Sequence, residues 1–268
     1  MKNTKQIKSM FTGFAAFVIP IAFAAAVCIY LFVLGNPQNF QGGDPANAPL
    51  VGNYLGVMYK GGIIVPILMT LLIMVLTFGF ERYLTINKAK GKGSVNRFVA
   101  KVHQQLASKN LEDAKAECDN QRGAVASVLR AGLDKYGDLI PEKGMNRDQK
   151  VIAIKQEIEE ATSLELPMLE QNLVILATIA SIATLMGLLG TVIGMIRAFA
   201  ALANAGAPDA IALATGISEA LVNTALGILT SALAIILYNY FTTKIDKLTY
   251  SIDEAGMAVV QNFAANYN

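Results

Sequence analysis

Four long apolar runs dominate the chain, at residues 10–34, 61–80, 173–196 and 210–243. The first three carry no charge, and Glu219 is the one charge in the fourth. About 20 residues of helix cross the hydrocarbon core of a bilayer, so each run is long enough to span. The fourth, at 34 residues, exceeds a bilayer and is expected to continue beyond it as a helix. Residues 35–60, rich in Gly, Pro and Asn, read as a loop whose apolar end, 50–59, approaches the interface. Residues 81–171 are polar. Helix is expected over 95–130 with a break at Asn110 or at Asn120–Gly123, a turn over 138–147 around Pro141 and Gly144, and helix from 148 to 171. That last helix is expected to run unbroken into the third span despite Pro167. Its acidic positions, among them Glu157 and Glu160, read as a solvated face, with a partner's tail as the sharper alternative.

Hydrophobic residues make up 54% of the 268, and charged residues 16%. That balance fits a polytopic membrane protein better than a soluble domain. The net charge of +2 gives no reason to expect nucleic acid. Residues 81–171 hold 15 of the 22 lysines and arginines. The positive-inside rule therefore puts this region and both termini in the cytoplasm. The first run follows Lys2, Lys5 and Lys8, as a signal peptide would, but its apolar part is longer than such peptides use, so it is read as a retained span. Cys28 and Cys118 fall in regions assigned to different sides, so no disulfide is expected. The sole histidine, His103, lies in a polar helical stretch, and no metal site is expected.

A carboxylate at the centre of a membrane helix is costly, roughly 2.5–3.5 kcal/mol for Asp on insertion scales. Glu219 therefore asks for a polar cavity, a partner surface or a proton path. Thr215, Glu219 and Asn223 recur every four residues, and Thr230 falls within about 20° of Glu219 at 100° per residue. They form one polar stripe. Thr224, Gly227 and Ser231 form a second, and the two are expected to face a central pore and a neighbouring subunit. On the third run Thr178, Ser181, Thr184 and Thr191 lie beside a small-residue face of Ala183, Gly187, Gly190 and Gly194, which lets helices approach closely. Each threonine has a bland reading, a bond back to the carbonyl one turn earlier. Arg197, at the end of the third run, is expected to snorkel to the headgroups. A counter-charge to Asp209 or to a partner is the alternative.

The phrases Gly187-Leu-Leu-Gly-Thr-Val-Ile-Gly194 and Gly216-Ile-Ser-Glu-Ala-Leu-Val-Asn-Thr-Ala-Leu-Gly227, in this order and spacing, resemble the ExbB/TolQ/MotA proton-channel family, ExbB-like proteins most of all. The likeness runs from about Glu165 to Ala255. It implies an all-α polytopic membrane protein with four transmembrane helices, long cytoplasmic helical extensions and a ring-forming oligomer, a pentamer. By this resemblance Glu219, Thr191 and Thr224 line the pore. An ExbD-type single-span partner would sit in that pore, and a TonB-type protein would receive the motion. The family's usual plan has three spans, so residues 1–34 are an added stub and span. They precede a periplasmic loop (35–60), a second span (61–80), a cytoplasmic helical region (81–171) and the channel region (172–268). The expected role is an inner-membrane motor subunit driven by the proton motive force, with protons as coupling ion and no other cofactor. A TolQ-like role in envelope maintenance and a passive helical scaffold are the alternatives. No catalytic constellation or nucleotide-binding loop is present in the sequence, so no enzyme activity is expected.

Overall fold

A computed structural model describes residues 16–203 and 209–266. The start of the first apolar run, the three lysines before it and residues 204–208 lie outside them. The described residues are helices joined by turns and loops, with no strand and one isolated bridge between Phe40 and Pro49. Four helices are long and apolar enough to span a membrane. This is an all-α, multi-pass membrane protein.

We number the helices α1 (Ala16–Leu34), α2 (Tyr54–Tyr59), α3 (Ile64–Ala89), α4 (Val95–Ala107), α5 (Leu111–Gln121), α6 (Ala124–Leu139), α7 (Arg147–Glu170), α8 (Leu173–Ala203) and α9 (Ala210–Asn266). Both expected breaks in the polar region occur, at 108–110 and at Arg122–Gly123. The chain forms two compact units, Met1–Phe80 with Val174–Tyr238, and Glu81–Leu173 with Asn239–Asn268.

In the first unit α8 and α9 pack through small residues. A Cβ added to Gly194 would lie 2.7 Å from the backbones of Ala220 and Gly216, and one on Gly216 would lie 2.7 Å from that of Ala198. Further along, Gly227 meets Ala183 and Gly187. In lipid, packing and interhelical hydrogen bonds hold helices together, and small residues let backbones touch. Large apolar side chains such as Leu185, Val192, Leu221 and Ile228 point outward, as they must in a hydrocarbon solvent. The extra span α1 buries Ala22, Ala26 and Leu34 in this unit. Tyr30 of α1 stacks on Tyr59, with ring centroids 4.7 Å apart, and donates its hydroxyl to the Tyr59 carbonyl. The loop is more structured than its composition suggests, with two short 3-10 turns, α2 and a buried Asn39 that donates to the carbonyls of Val33 and Leu34.

The second unit is a helical bundle built on amphipathic patterns. α4 buries Val95, Phe98, Val102 and Leu106, one stripe at helical spacing. Gly132 of α6 and Gly256 of α9 both face Ile158 of α7, and Tyr136 packs edge-on against Phe263 at 4.8 Å. An Asn146/Gln149 capping box starts α7. Buried here, the Cys118 thiol is pushed up to about 12. Both described cysteines are free, and His103 lines an open groove with Asn96, Asp246 and Tyr250, with no metal-holding cluster among the described residues.

One expectation fails. The helix entering the third span is not continuous. It breaks at Gln171–Asn172, where Asn172 has φ +64°. Asn tolerates the left-handed region better than most residues. The carbonyls that a break leaves without helical partners are taken up by Arg82, whose Nη1 donates to Leu169 at 3.2 Å and to Met168 at 3.4 Å. Arg82 is fully buried and paired with Glu81, and Asn172 Nδ2 donates to the same carboxylate.

The small-residue faces were expected to join neighbouring subunits; the structure places Gly187, Gly194 and Gly227 in the α8–α9 contact of one chain. Gly194→Leu should therefore destabilise the folded chain itself, by about 3 kcal/mol. A lower melting temperature in detergent, at unchanged expression, would report it. Loss of oligomer with unchanged melting would instead mean that this face joins subunits.

Candidate functional site

The α8–α9 crossing places Arg197 three residues beyond Gly194 and Glu219 three residues beyond Gly216, so the two side chains meet. Arg197 Nη1 donates to Glu219 Oε1 at 2.7 Å and to Oε2 at 2.9 Å. The Glu219 side chain is 4% exposed and that of Arg197 55%. Arg197 is thus no lone snorkelling cation within the chain. Asp209 is not its counter-charge, because Asp209 Oδ1 accepts from the amides of Ile211 and Ala212 and caps α9.

A turn at the start of α3 covers the pair from the other side. Gly62 has φ +75°, and a Cβ there would clash with Glu219 Oε1. Only glycine suits both the backbone and the space. Asn223, one turn along α9 and fully buried, donates Nδ2 to the Gly61 carbonyl at 2.8 Å. Among the described residues its Oδ1 has no partner, and neither does the hydroxyl of fully buried Thr230. A buried acceptor without a donor is a place that a water molecule or a transferable proton can satisfy.

Thr191 and Thr224 face each other across the helix pair, hydroxyl to hydroxyl. Each also bonds within its helix, Thr191 to the Gly187 carbonyl at 3.2 Å and Thr224 to that of Ala220 at 3.1 Å. Gly190 makes room for the Asn223 side chain. Thr215 stands apart and bonds only to the Ile211 carbonyl, at 2.9 Å. Thr178 likewise takes its bland reading, bonding to Val174. Of the residues picked out in the sequence, Glu219, Asn223, Gly190, Thr191 and Thr224 come together, and Thr215 does not join them.

Arg197, Gly61 and Gly62 were missed as members of this cluster. A signal existed for Arg197. It is the cation at the end of the third apolar run, the run next to the fourth. An intramembrane charge calls for an opposite charge nearby.

A family model described as the MotA/TolQ/ExbB proton channel family matches residues 120–254. The chain belongs to this family. Among its curated relatives, the Tol-Pal system protein TolQ of Pseudomonas aeruginosa is 33% identical over 141 residues, 53% of this chain and 61% of that protein. The biopolymer transport protein ExbB of Pseudomonas putida is 29% identical over 187 residues, 66% of this chain and 54% of its own. The ExbB of Aquifex aeolicus is 38% identical over 118 residues, 44% of this chain and 72% of its own. The chain thus spans under two thirds of the length of the two Pseudomonas relatives. The match covers Arg197, Glu219, Asn223, Gly190, Thr191 and Thr224 but not the Gly61–Gly62 turn.

The geometry around Gly62 is testable. Gly62→Ala should destabilise the chain by roughly 1–3 kcal/mol, from backbone strain and the collision with Glu219. Gly62→Ala combined with Glu219→Ala should lose less than the two single changes add up to, because the second removes the obstacle. Strict additivity in thermal melts would show that the turn does not touch the carboxylate.

Proposed function

We propose that this chain is the proton-conducting subunit of a membrane motor, and that Glu219 carries the proton. The observation that bears most of the weight is a carboxylate almost wholly buried among apolar spans, beside an unpartnered Asn223 Oδ1. Groups of this kind are expensive in a membrane and mark ion or proton paths. Asn223, Thr191 and Thr224 extend the polar cluster along both helices. The membrane potential supplies the driving force, about 2.3 kcal/mol per elementary charge per 100 mV.

In the finer reading the chain forms a pentameric ring in the inner membrane around the single spans of an ExbD-type partner. Its motion would pass to a TonB-type protein and energise transport across the outer membrane. The ExbB relatives support this reading. The TolQ relatives support the second one, a motor for envelope maintenance. Either role uses the same site, and the identity of the single-span partner that co-purifies with the chain would separate them.

Glu219→Gln keeps shape and hydrogen-bonding capacity but cannot release a proton. In vesicles holding the chain with its membrane partners, this variant should assemble and show no proton flux. Full flux would favour a passive scaffold with a structural glutamate.

The orientation we propose has both termini and residues 81–171 in the cytoplasm, supported by the lysine and arginine asymmetry. Single cysteines at Gln41 and Ala205 should react with an impermeant maleimide in intact spheroplasts, and one at Lys143 only after lysis. The reverse pattern would invert the topology.

A further inference from the structure

We infer that Arg197 is the positioning residue that gates Glu219, and that it is the moving half of the pair. The inference rests on the reading of Glu219 as the proton carrier. Three observations carry it. First, the two partners are unequally held. Glu219 is 4% exposed and clamped between α8, α9 and the Gly62 turn, whereas Arg197 is 55% exposed. Second, both of the guanidinium's bonds to the carboxylate come from Nη1. Its Nε and Nη2 have no hydrogen-bond partner among the described residues, so water or another anion can take them. Third, Arg197 cannot shed its own proton, because a guanidinium stays charged in proteins.

The step follows from charge. With Glu219 ionised, the pair is neutral and the guanidinium stays docked. When a proton from water forms an O–H bond on Oε1 or Oε2, the pair acquires a net charge of +1. The charge–charge attraction is gone, and a half-exposed cation is left beside a neutral acid. The buried acid cannot follow its partner outward, so the half-exposed cation turns to solvent. When the proton leaves to water on the other side, the restored carboxylate draws the guanidinium back. Arg197 thereby couples each protonation of Glu219 to a movement at the exposed face of α8. The other groups facing the pair are few. Tyr30 of α1 is tied by its hydroxyl to the Tyr59 carbonyl of α2. Asn223 of α9 is held by the Gly61 carbonyl at the start of α3. None supplies a second counter-charge.

The test uses the full chain with its co-purifying membrane partners in vesicles, with proton flux followed by an internal dye across a range of pH. Arg197→Gln removes the only cation bonded to the carboxylate among the described residues, so the pH profile of the flux should move away from that of the wild type, and Arg197→Lys should restore the wild-type profile. An unchanged profile in Arg197→Gln, with Glu219→Gln inactive, would overturn the gate and leave the proton carrier standing. Full flux in Glu219→Gln would instead overturn the carrier. A purely structural role for Arg197 would lower the melting temperature without moving the profile, and would also overturn the gate. A second measurement avoids variants of Arg197. Phenylglyoxal should modify Arg197, followed by peptide mapping, several-fold faster in Glu219→Gln than in the wild type. Equal rates would overturn the proposal.

Discussion

The first unit depends on the close approach of two backbones, those of α8 and α9, at Gly194 and Gly216. A methyl group on either glycine would press on the opposite helix. This contact sets a single antiparallel register, in which each step along α8 is matched by a step back along α9. Gly187 meets Gly227, Gly190 meets Asn223, Thr191 meets Thr224 and Arg197 meets Glu219. The ion pair is thus a consequence of packing. Bulkier residues at the crossing would hold the helices apart, and the guanidinium and carboxylate would no longer share two hydrogen bonds. Lipid gives little hydrophobic reward for bringing helices together, so the small residues and the interhelical bonds carry the association.

The same logic explains why charge appears where it does. Two arginines meet buried or half-buried carboxylates, Arg82 with Glu81 and Arg197 with Glu219, and they do different work. Arg82 is wholly buried, paired with Glu81 and bonded to the carbonyls at the α7–α8 break. Arg197 bonds to its carboxylate through Nη1, and its Nε and Nη2 have no partner among the described residues. A buried ion pair is a weak source of net stability, because desolvation offsets much of the attraction. Its value lies in what it positions. Arg82 caps carbonyls at the end of α7, whereas Arg197 bonds only to its carboxylate among the described residues.

Much of the architecture was legible in the chain. Span length is a property of consecutive residues, so four membrane helices could be read directly, and Asn110 and Gly123 announced the breaks in the polar region. The α7–α8 break was not legible. It depends on Asn172 adopting a left-handed backbone and on Arg82, some 90 residues earlier, capping the exposed carbonyls. Pro167, the obvious candidate breaker, sits inside α7. At the site, a helical wheel placed Glu219 and Asn223 on one stripe but could not say what the stripe faces. Within one chain it faces α8 and the Gly61–Gly62 turn. That turn lies far away in sequence, and its glycines looked like ordinary loop residues until φ and the space beside Glu219 were known.

The enclosure of Glu219 also limits how the site can work. Clamped on three sides, the carboxylate has little room to swing between two aqueous faces, so in the proposed carrier role proton delivery and removal fall to smaller changes around it. The pair's exposed member is Arg197, whereas Asn223 is fully buried and held by the Gly61 carbonyl, with only its Oδ1 open among the described residues. Asn223 lies one turn along α9 from the acid, and Thr230 two further turns on, also buried and without a partner. Thr230 differs here from Thr191, Thr215 and Thr224, whose hydroxyls bond back to the preceding turn. A hydroxyl that forgoes that local bond in a dry interior is costly unless water reaches it. The unsatisfied groups thus run away from Arg197 along the inner face of α9. Under the proposed carrier role they would give a proton released by Glu219 a polar direction to follow along α9.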